Sequence, residues 1–214
     1  MKRYILDKIS KKYWFIEPEK FVKDDPAPQT YEKLTDIIKL IPKSVTKIHL
    51  ENIRIKNIQL PDWIKEIQVY GNEDATFKSF PKNLQKITFE KCHGIFPKNF
   101  ASLKKFKELD VAYLYKWPKK FPESTRKIIF WDLDTLPKNS KLSLPKNLKE
   151  LDIGSTGQDS TILRFPDLIK SPKLKSISIN GSFTHRPTKV SKIKLFVGGY
   201  PETVPDAWKK MLIN

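Results

Sequence analysis

A single apolar-polar pattern recurs along the chain: an apolar residue, a proline, a polar pair, and then apolar positions that end in an alternating apolar-x-apolar pair. It reads IPKSVTKIHL from Ile41, LPDWIKEIQV from Leu60, FPKNLQKITF from Phe80, FPESTRKIIF from Phe121 and LPKNLKELDI from Leu144. Weaker copies are LKKFKELDV from Leu103, SPKLKSISI from Ser171 and RPTKVSKIKL from Arg186, making eight. The first residue of each pair falls at Ile48, Ile67, Ile87, Leu109, Ile128, Leu151, Ile177 and Ile193, at spacings of 19, 20, 22, 19, 23, 26 and 16 residues. Self-similarity at such a period marks a solenoid.

The local chemistry agrees. Period-two alternation suits a short strand with one buried face. Each proline fixes its own φ and biases the residue before it toward extended backbone, which disfavours helix across Leu144 and Pro145. The residues left for each return path suit extended or single-turn structure better than a long helix. One repeat cannot bury its own apolar side chains, whereas stacked repeats share a continuous core. Eight parallel strands spaced ~4.8 Å apart span roughly 35 Å. The residues before the prolines, such as Leu60, Phe80, Phe121 and Leu144, are expected to turn into that core.

The ends are expected to differ, because terminal coils need shielding. Residues 1–40 are read as an N-terminal cap, residues 41–198 as the solenoid of about eight coils, and residues 199–214 as a C-terminal cap. In the first cap, YILDKI and YWFI precede a Pro-rich turn and a helical segment whose Leu34, Ile37, Ile38 and Ile41 cover the first repeat. In the last, Trp208, Met211, Leu212 and Ile213 cover the final layer.

These units resemble leucine-rich repeats, above all the short LPxxLxxLxL repeats of bacterial effectors, and are similar to the proline-containing FNIP-type repeats. The resemblance spans residues 41 to about 197 and rests on IPKSVTKIHL, LPDWIKEIQVYGN, FPKNLQKITFEKC and LPKNLKELDI. It implies an α/β solenoid: short parallel strands, mostly extended or single-turn returns, and terminal caps. It also implies an asparagine five positions beyond the first strand leucine, bonding backbone between coils. The matching residues here are Ile53, Asn72, Cys92, Leu114, Leu133, Thr156, Ser182 and Gly198, of which Asn72, Cys92, Thr156 and Ser182 suit that role.

Composition narrows the chemistry. The 214 residues are 39% apolar and 30% charged, as expected of an ordered soluble protein. No apolar run reaches the ~18 residues of a membrane-crossing helix. The start, MKRYILDKISKKYWFIEP, has a basic front but an interrupted apolar run, so a secretory peptide is not expected. The single cysteine, Cys92, excludes an internal disulfide and makes a reducing, intracellular compartment the expected setting. His49, His93 and His185 lack ligand spacing, so neither a metal nor a cofactor is expected.

The formal charge is +17, from 41 basic and 24 acidic residues, which raises nucleic acid or an anionic membrane surface as partners. The outward strand positions tell a different story. They carry Lys47, Glu66, Lys86, Glu108, Lys127, Glu150, Ser176 and Lys192, then His49, Gln68, Thr88, Asp110, Ile129, Asp152, Ser178 and Lys194, then Glu51, Tyr70, Glu90, Ala112, Trp131, Gly154, Asn180 and Phe196. Five lysines against seven acidic residues leave this face at −2, so the basic excess falls on turns, returns and caps. Tyr70, Ile129, Trp131 and Phe196 are candidate protein-binding anchors, bordered by Glu90, Asp110, Lys127 and Asp152. Lys43, Lys82, Lys98, Lys138 and Lys146, in the PKN and PKS turns, are candidate anion contacts along one solenoid edge. No acid, base and nucleophile stand in a catalytic arrangement: Cys92 and His93 are adjacent on one strand end, where side chains diverge. A noncatalytic protein-binding module is the expected function, with nucleic-acid or anionic-surface binding at the lysine-rich edge as the alternative.

Overall fold

In a computed structural model, each described proline of the repeat opens a tight turn. The Pro42 carbonyl accepts the Val45 N–H at 3.0 Å, and the same bond joins Pro61 to Ile64, Pro81 to Leu84, Pro97 to Phe100, Pro122 to Thr125 and Pro145 to Leu148 at 2.9–3.1 Å. The turn drives the residue three beyond the proline inward: Val45, Ile64, Leu84, Thr125 and Leu148 are completely buried. Thr125 is tolerated at this apolar position because its hydroxyl donates to the Pro122 carbonyl at 2.7 Å. The residues before the prolines turn inward as well, with Ile41, Leu60, Phe80, Phe121 and Leu144 all buried.

The structure describes residues 4–18, 30–31, 33–53, 56–71, 76–92, 96–114, 118–131, 144–154, 173–180 and 194–198. The strands are β1 (Tyr4–Asp7), β2 (Tyr13–Pro18), β3 (Thr30–Tyr31), β4 (Lys47–Glu51), β5 (Ile58–Gln59), β6 (Glu66–Tyr70), β7 (Phe77–Ser79), β8 (Lys86–Cys92), β9 (Glu108–Leu114), β10 (Lys127–Trp131), β11 (Glu150–Gly154), β12 (Ser176–Asn180) and β13 (Lys194–Gly198). Eleven of them form one sheet in the order β13-β12-β11-β10-β9-β8-β6-β4-β2-β1-β3, while β5 and β7 pair on the return side. From β2 to β13 every pairing in the large sheet is parallel. The chain is therefore a parallel-strand solenoid. Among the described residues its helix is limited to α1 (Leu34–Leu40) and a 3-10 turn at Phe100–Ser102. The helical part of the expected α/β class is thus confined there to α1 before the repeats, and the described returns are extended or single-turn.

The register stacks like position on like position. Ile67 faces Ile87, Ile87 faces Leu109, Leu109 faces Ile128 and Ile128 faces Leu151. All five are buried, as are Val69, Phe89, Val111 and Phe130 two residues further along β6, β8, β9 and β10, and Ile48 and Leu50 likewise on β4. Return segments complete the core with aromatic rings. Phe100 lies 4.6 Å from Phe96, 5.1 Å from Phe106, 5.8 Å from Phe80 and 6.4 Å from Phe121, between ring centroids.

Two details differ from the sequence reading. The YWFI segment of the N-terminal cap forms β2, which runs parallel to β4 with Trp14 beside Ile48 and Ile16 beside Leu50, and so extends the ladder by a strand. The capping is done by antiparallel β1 and β3 and by α1, whose Leu34 and Ile37 are buried. The helix ends at Ile41, held extended by the following proline. At the other end, β13 places Leu195, not Ile193, beside Ile177. The segment Ile193-x-Leu195-x-Val197 offers two pairings of equal parity, and the later one is adopted. Residues 199–214, read as the closing cap, lie outside the described residues.

Candidate functional site

The outward positions of the ladder form three columns, each hydrogen-bonded strand to strand. Lys47, Glu66, Lys86, Glu108, Lys127, Glu150 and Ser176 make the first; Phe15, His49, Gln68, Thr88, Asp110, Ile129, Asp152, Ser178 and Phe196 the second; Glu51, Tyr70, Glu90, Ala112, Trp131, Gly154 and Asn180 the third. From β4 to β12 this open face carries three lysines and seven carboxylates, so it is acidic within a strongly basic chain.

The first column alternates in sign from Lys47 to Glu150. Lys86 Nζ reaches Glu108 Oε1 at 2.7 Å, and Lys127 Nζ reaches Glu150 Oε2 at 3.7 Å. Burial acts to lower the Lys86 pKa, but hydrogen bonding to Glu108 and the charges of Glu108, Asp110 and Glu66 outweigh it and hold the ammonium above its usual value. At the N-terminal end Lys47 Nζ lies over the Tyr13 ring, 4.5 Å from its centroid.

The second column holds two perturbed groups. His49 takes the Phe15 ring edge-on at 4.6 Å, and its Nδ1 lies 3.2 Å from the Tyr13 hydroxyl. Burial lowers its pKa, with Lys47 acting in the same direction and Glu51, Glu17 and Glu90 opposing. Asp110 is pushed above the usual carboxylate range, first by burial and then by Glu108 and Asp152, against the pull of Lys86 and Lys127. A single ladder position, that of Ile129, separates Asp110 from Asp152.

Of the candidate anchors, the structure brings Ile129 and Trp131 together on β10. Trp131 is 39% exposed, and its ladder neighbours are the small residues Ala112 and Gly154. Tyr70 stands in the same column three strands away, about 14 Å along the ladder. It is held by Lys91, whose Nζ lies 3.3 Å from the Tyr70 hydroxyl and 5.4 Å from the ring centroid. Phe196, placed by its sequence in the third column, is in register with Ser178 and belongs to the second, also about 14 Å from Ile129. Glu90 separates Tyr70 from Ala112. The anchors therefore form one pair on β10 with an outlier on each side.

On the proline-turn edge, Lys43, Lys82, Lys98 and Lys146 are exposed, whereas Lys138 lies outside the described residues. Lys82 is engaged with Asp62: Nζ approaches Oδ2 at 3.1 Å and the Lys82 N–H donates to Oδ1 at 3.1 Å. That backbone bond, followed by the Lys82 ammonium, lowers the Asp62 pKa against burial. The same edge carries a feature the sequence reading passed over, the asparagine of the PKN turn. Asn99 bridges to the preceding coil, its Nδ2 donating to the Phe80 carbonyl at 2.8 Å and its Oδ1 accepting the Phe80 N–H at 3.0 Å. Asn147 Nδ2 donates to the Glu123 carbonyl at 2.9 Å. The signal was the repetition of PKN itself. At the asparagine position implied by the resemblance, Cys92 is buried and its thiol donates to the Val69 carbonyl of the preceding coil at 3.4 Å. Asn72, Thr156 and Ser182 lie outside the described residues, as does His93.

Among the described residues no cluster of His, Cys, Asp and Glu is arranged to hold a metal, and no helix is long and apolar enough to cross a membrane. No family model, curated protein or solved structure matches the chain.

Proposed function

We propose that the chain is a noncatalytic protein-binding module that uses the open face of its parallel sheet, centred on β9, β10 and β11. The observation that carries this reading is Trp131, an exposed indole flanked in the ladder by Ala112 and Gly154, with Ile129 beside it. Small neighbours leave room for a partner group against the ring, and aromatic anchors of this kind dominate binding energy when a partner seals them from water. Around the pair stand Glu108, Asp110, Glu150 and Asp152, with Lys127 as the one cation in those strands. Such a frame suits a partner that presents a basic side chain next to an apolar one. Tyr70 and Glu90 extend the contact surface toward β6.

The kinship we infer is with leucine-rich repeats of the short, proline-containing kind, supported by the proline turn, the two-residue strand alternation and the inter-coil thiol bond of Cys92. An adaptor or effector role in a reducing, intracellular setting follows from that kinship and from the single cysteine.

The test is peptide selection from a displayed random library on the intact chain, followed by measurement of the selected peptides against Trp131→Ala. Loss of a central aromatic anchor costs about 2 kcal/mol or more, roughly a thirtyfold rise in Kd. The variant should keep its melting temperature within a few degrees. Peptides that bind wild type and W131A equally would refute the assignment.

A further inference from the structure

A fourth column lies at the margin where each proline turn enters its strand. It runs through Lys65, Gln85, Lys107, Arg126, Lys149 and Lys175. The N–H of Gln85 donates to the Lys65 carbonyl, Lys107 to Gln85, Arg126 to Lys107, Lys149 to Arg126 and Lys175 to Lys149, each at 2.7–2.8 Å. These bonds hold the residues in strict file, about 4.8 Å apart, so the last four form an unbroken row of cations roughly 14 Å long. Lys107, Lys149 and Lys175 are exposed, and Arg126 is half-buried with its guanidinium turned toward the Glu123 and Thr125 carbonyls at 3.3 Å.

The row is not neutralised by the acids next to it in sequence. Glu108 follows Lys107 but is bound to Lys86, and Glu150 follows Lys149 but faces Lys127. The alternating column thus consumes the carboxylates and leaves its neighbour with like charges side by side. Such a row is a preformed counter-charge for a linear polyanion.

We propose that Lys107, Arg126, Lys149 and Lys175 form a track for the phosphodiester backbone of a nucleic acid, separate from the open face around Trp131. A nucleic-acid strand is favoured over a membrane because the row runs in single file directly beside the carboxylates Glu108 and Glu150 of the open face. A line of phosphates can follow the row, whereas a flat anionic surface would also be pressed against those carboxylates. Flexible side chains on a 4.8 Å pitch reach successive phosphates without reading bases, so recognition is of backbone charge.

The experiment compares the intact chain with two variants of equal charge change: K107Q/R126Q/K149Q/K175Q, and K43Q/K82Q/K98Q/K146Q in the turns. Binding of a labelled single-stranded oligonucleotide and of a duplex is followed by fluorescence anisotropy at several salt concentrations, with melting temperature as the control for folding. Four phosphate contacts to a single strand give a slope of log K against log salt near −3, or about a fiftyfold loss between 50 and 200 mM. The row variant should lose at least tenfold in affinity and most of that slope, with the turn variant close to wild type. Equal losses in both variants, absence of oligonucleotide binding by wild type, or row-dependent binding to phosphatidylserine vesicles in preference to oligonucleotides would each overturn the proposal.

Discussion

The segment KIIFW of β10 allows the register to be tested within one strand. Ile128 is completely buried between Leu109 and Leu151, whereas Ile129 lies half-buried on the open face between Asp110 and Asp152. Truncating isoleucine to alanine removes three carbons, worth about 0.8 kcal/mol each in transfer from water. At Ile128 that is about 2.4 kcal/mol, and the cavity left in a stacked interior raises it to roughly 3–4 kcal/mol. At Ile129 about half the transfer remains and no closed cavity forms, so the cost is about 1 kcal/mol. Against a typical stability of about 5–15 kcal/mol, a threefold difference between adjacent residues is readily measured. Urea titration followed by far-ultraviolet circular dichroism gives both values, with an unchanged m confirming that the unfolded reference is the same. An Ile129→Ala variant as destabilised as Ile128→Ala would refute the register, and with it the outward placement of Trp131.

Gly71 has φ +63°, and a Cβ there would stand 2.3 Å from Asn52 Oδ1. Gly71→Ala should therefore cost about 1–2 kcal/mol from backbone conformation alone, with more from the clash. Adding Asn52→Gly, which removes the amide and suits the φ of +50° at that position, should return only the clash, and a neutral G71A in thermal melts would sink the assignment. Because the Asp110 carboxyl is raised in the folded state, the native chain carries a penalty that is absent below the unfolded value of about 3.9 and develops as pH rises through the folded one. Asp110→Asn should raise the melting temperature at pH 7, lose that advantage toward pH 3, and still weaken the peptides selected on the open face. A variant no more stable than wild type at neutral pH contradicts this.

Much of the ladder could be read before any coordinates, because the proline aligns the coils and period-two alternation then assigns each side chain to a face. Both signals are strong at LPKNLKELDI, and Leu148, Leu151 and Asp152 lie as expected. They weaken where the composition is degenerate. KIIFW is apolar at four consecutive positions, so alternation alone cannot orient it, and the proline spacing decides. At KIKLFVG the alternation continues for three apolar residues, which permits the two-residue slip seen in β13. YWFI has no proline before it; the turn is made by Ser10, whose hydroxyl accepts the N–H groups of Lys12 and Tyr13 at 3.2 and 3.1 Å. The cationic row was hidden for a different reason. Lys107 and Lys149 each precede a glutamate, so a linear reading sees balanced dipeptides, and only stacking separates the two signs into different files.

The alternation of Lys47, Glu66, Lys86, Glu108, Lys127 and Glu150 also bears on assembly. Near-identical coils invite a strand to skip a neighbour or to borrow one from another molecule, and the apolar interior would scarcely object. Omitting any one of the four coils from Glu66 to Lys127 sets lysine against lysine or glutamate against glutamate, at about 0.2–1 kcal/mol for each such encounter. The alternating signs act as parity marks, by which a repetitive chain can tell its next turn from the one after it.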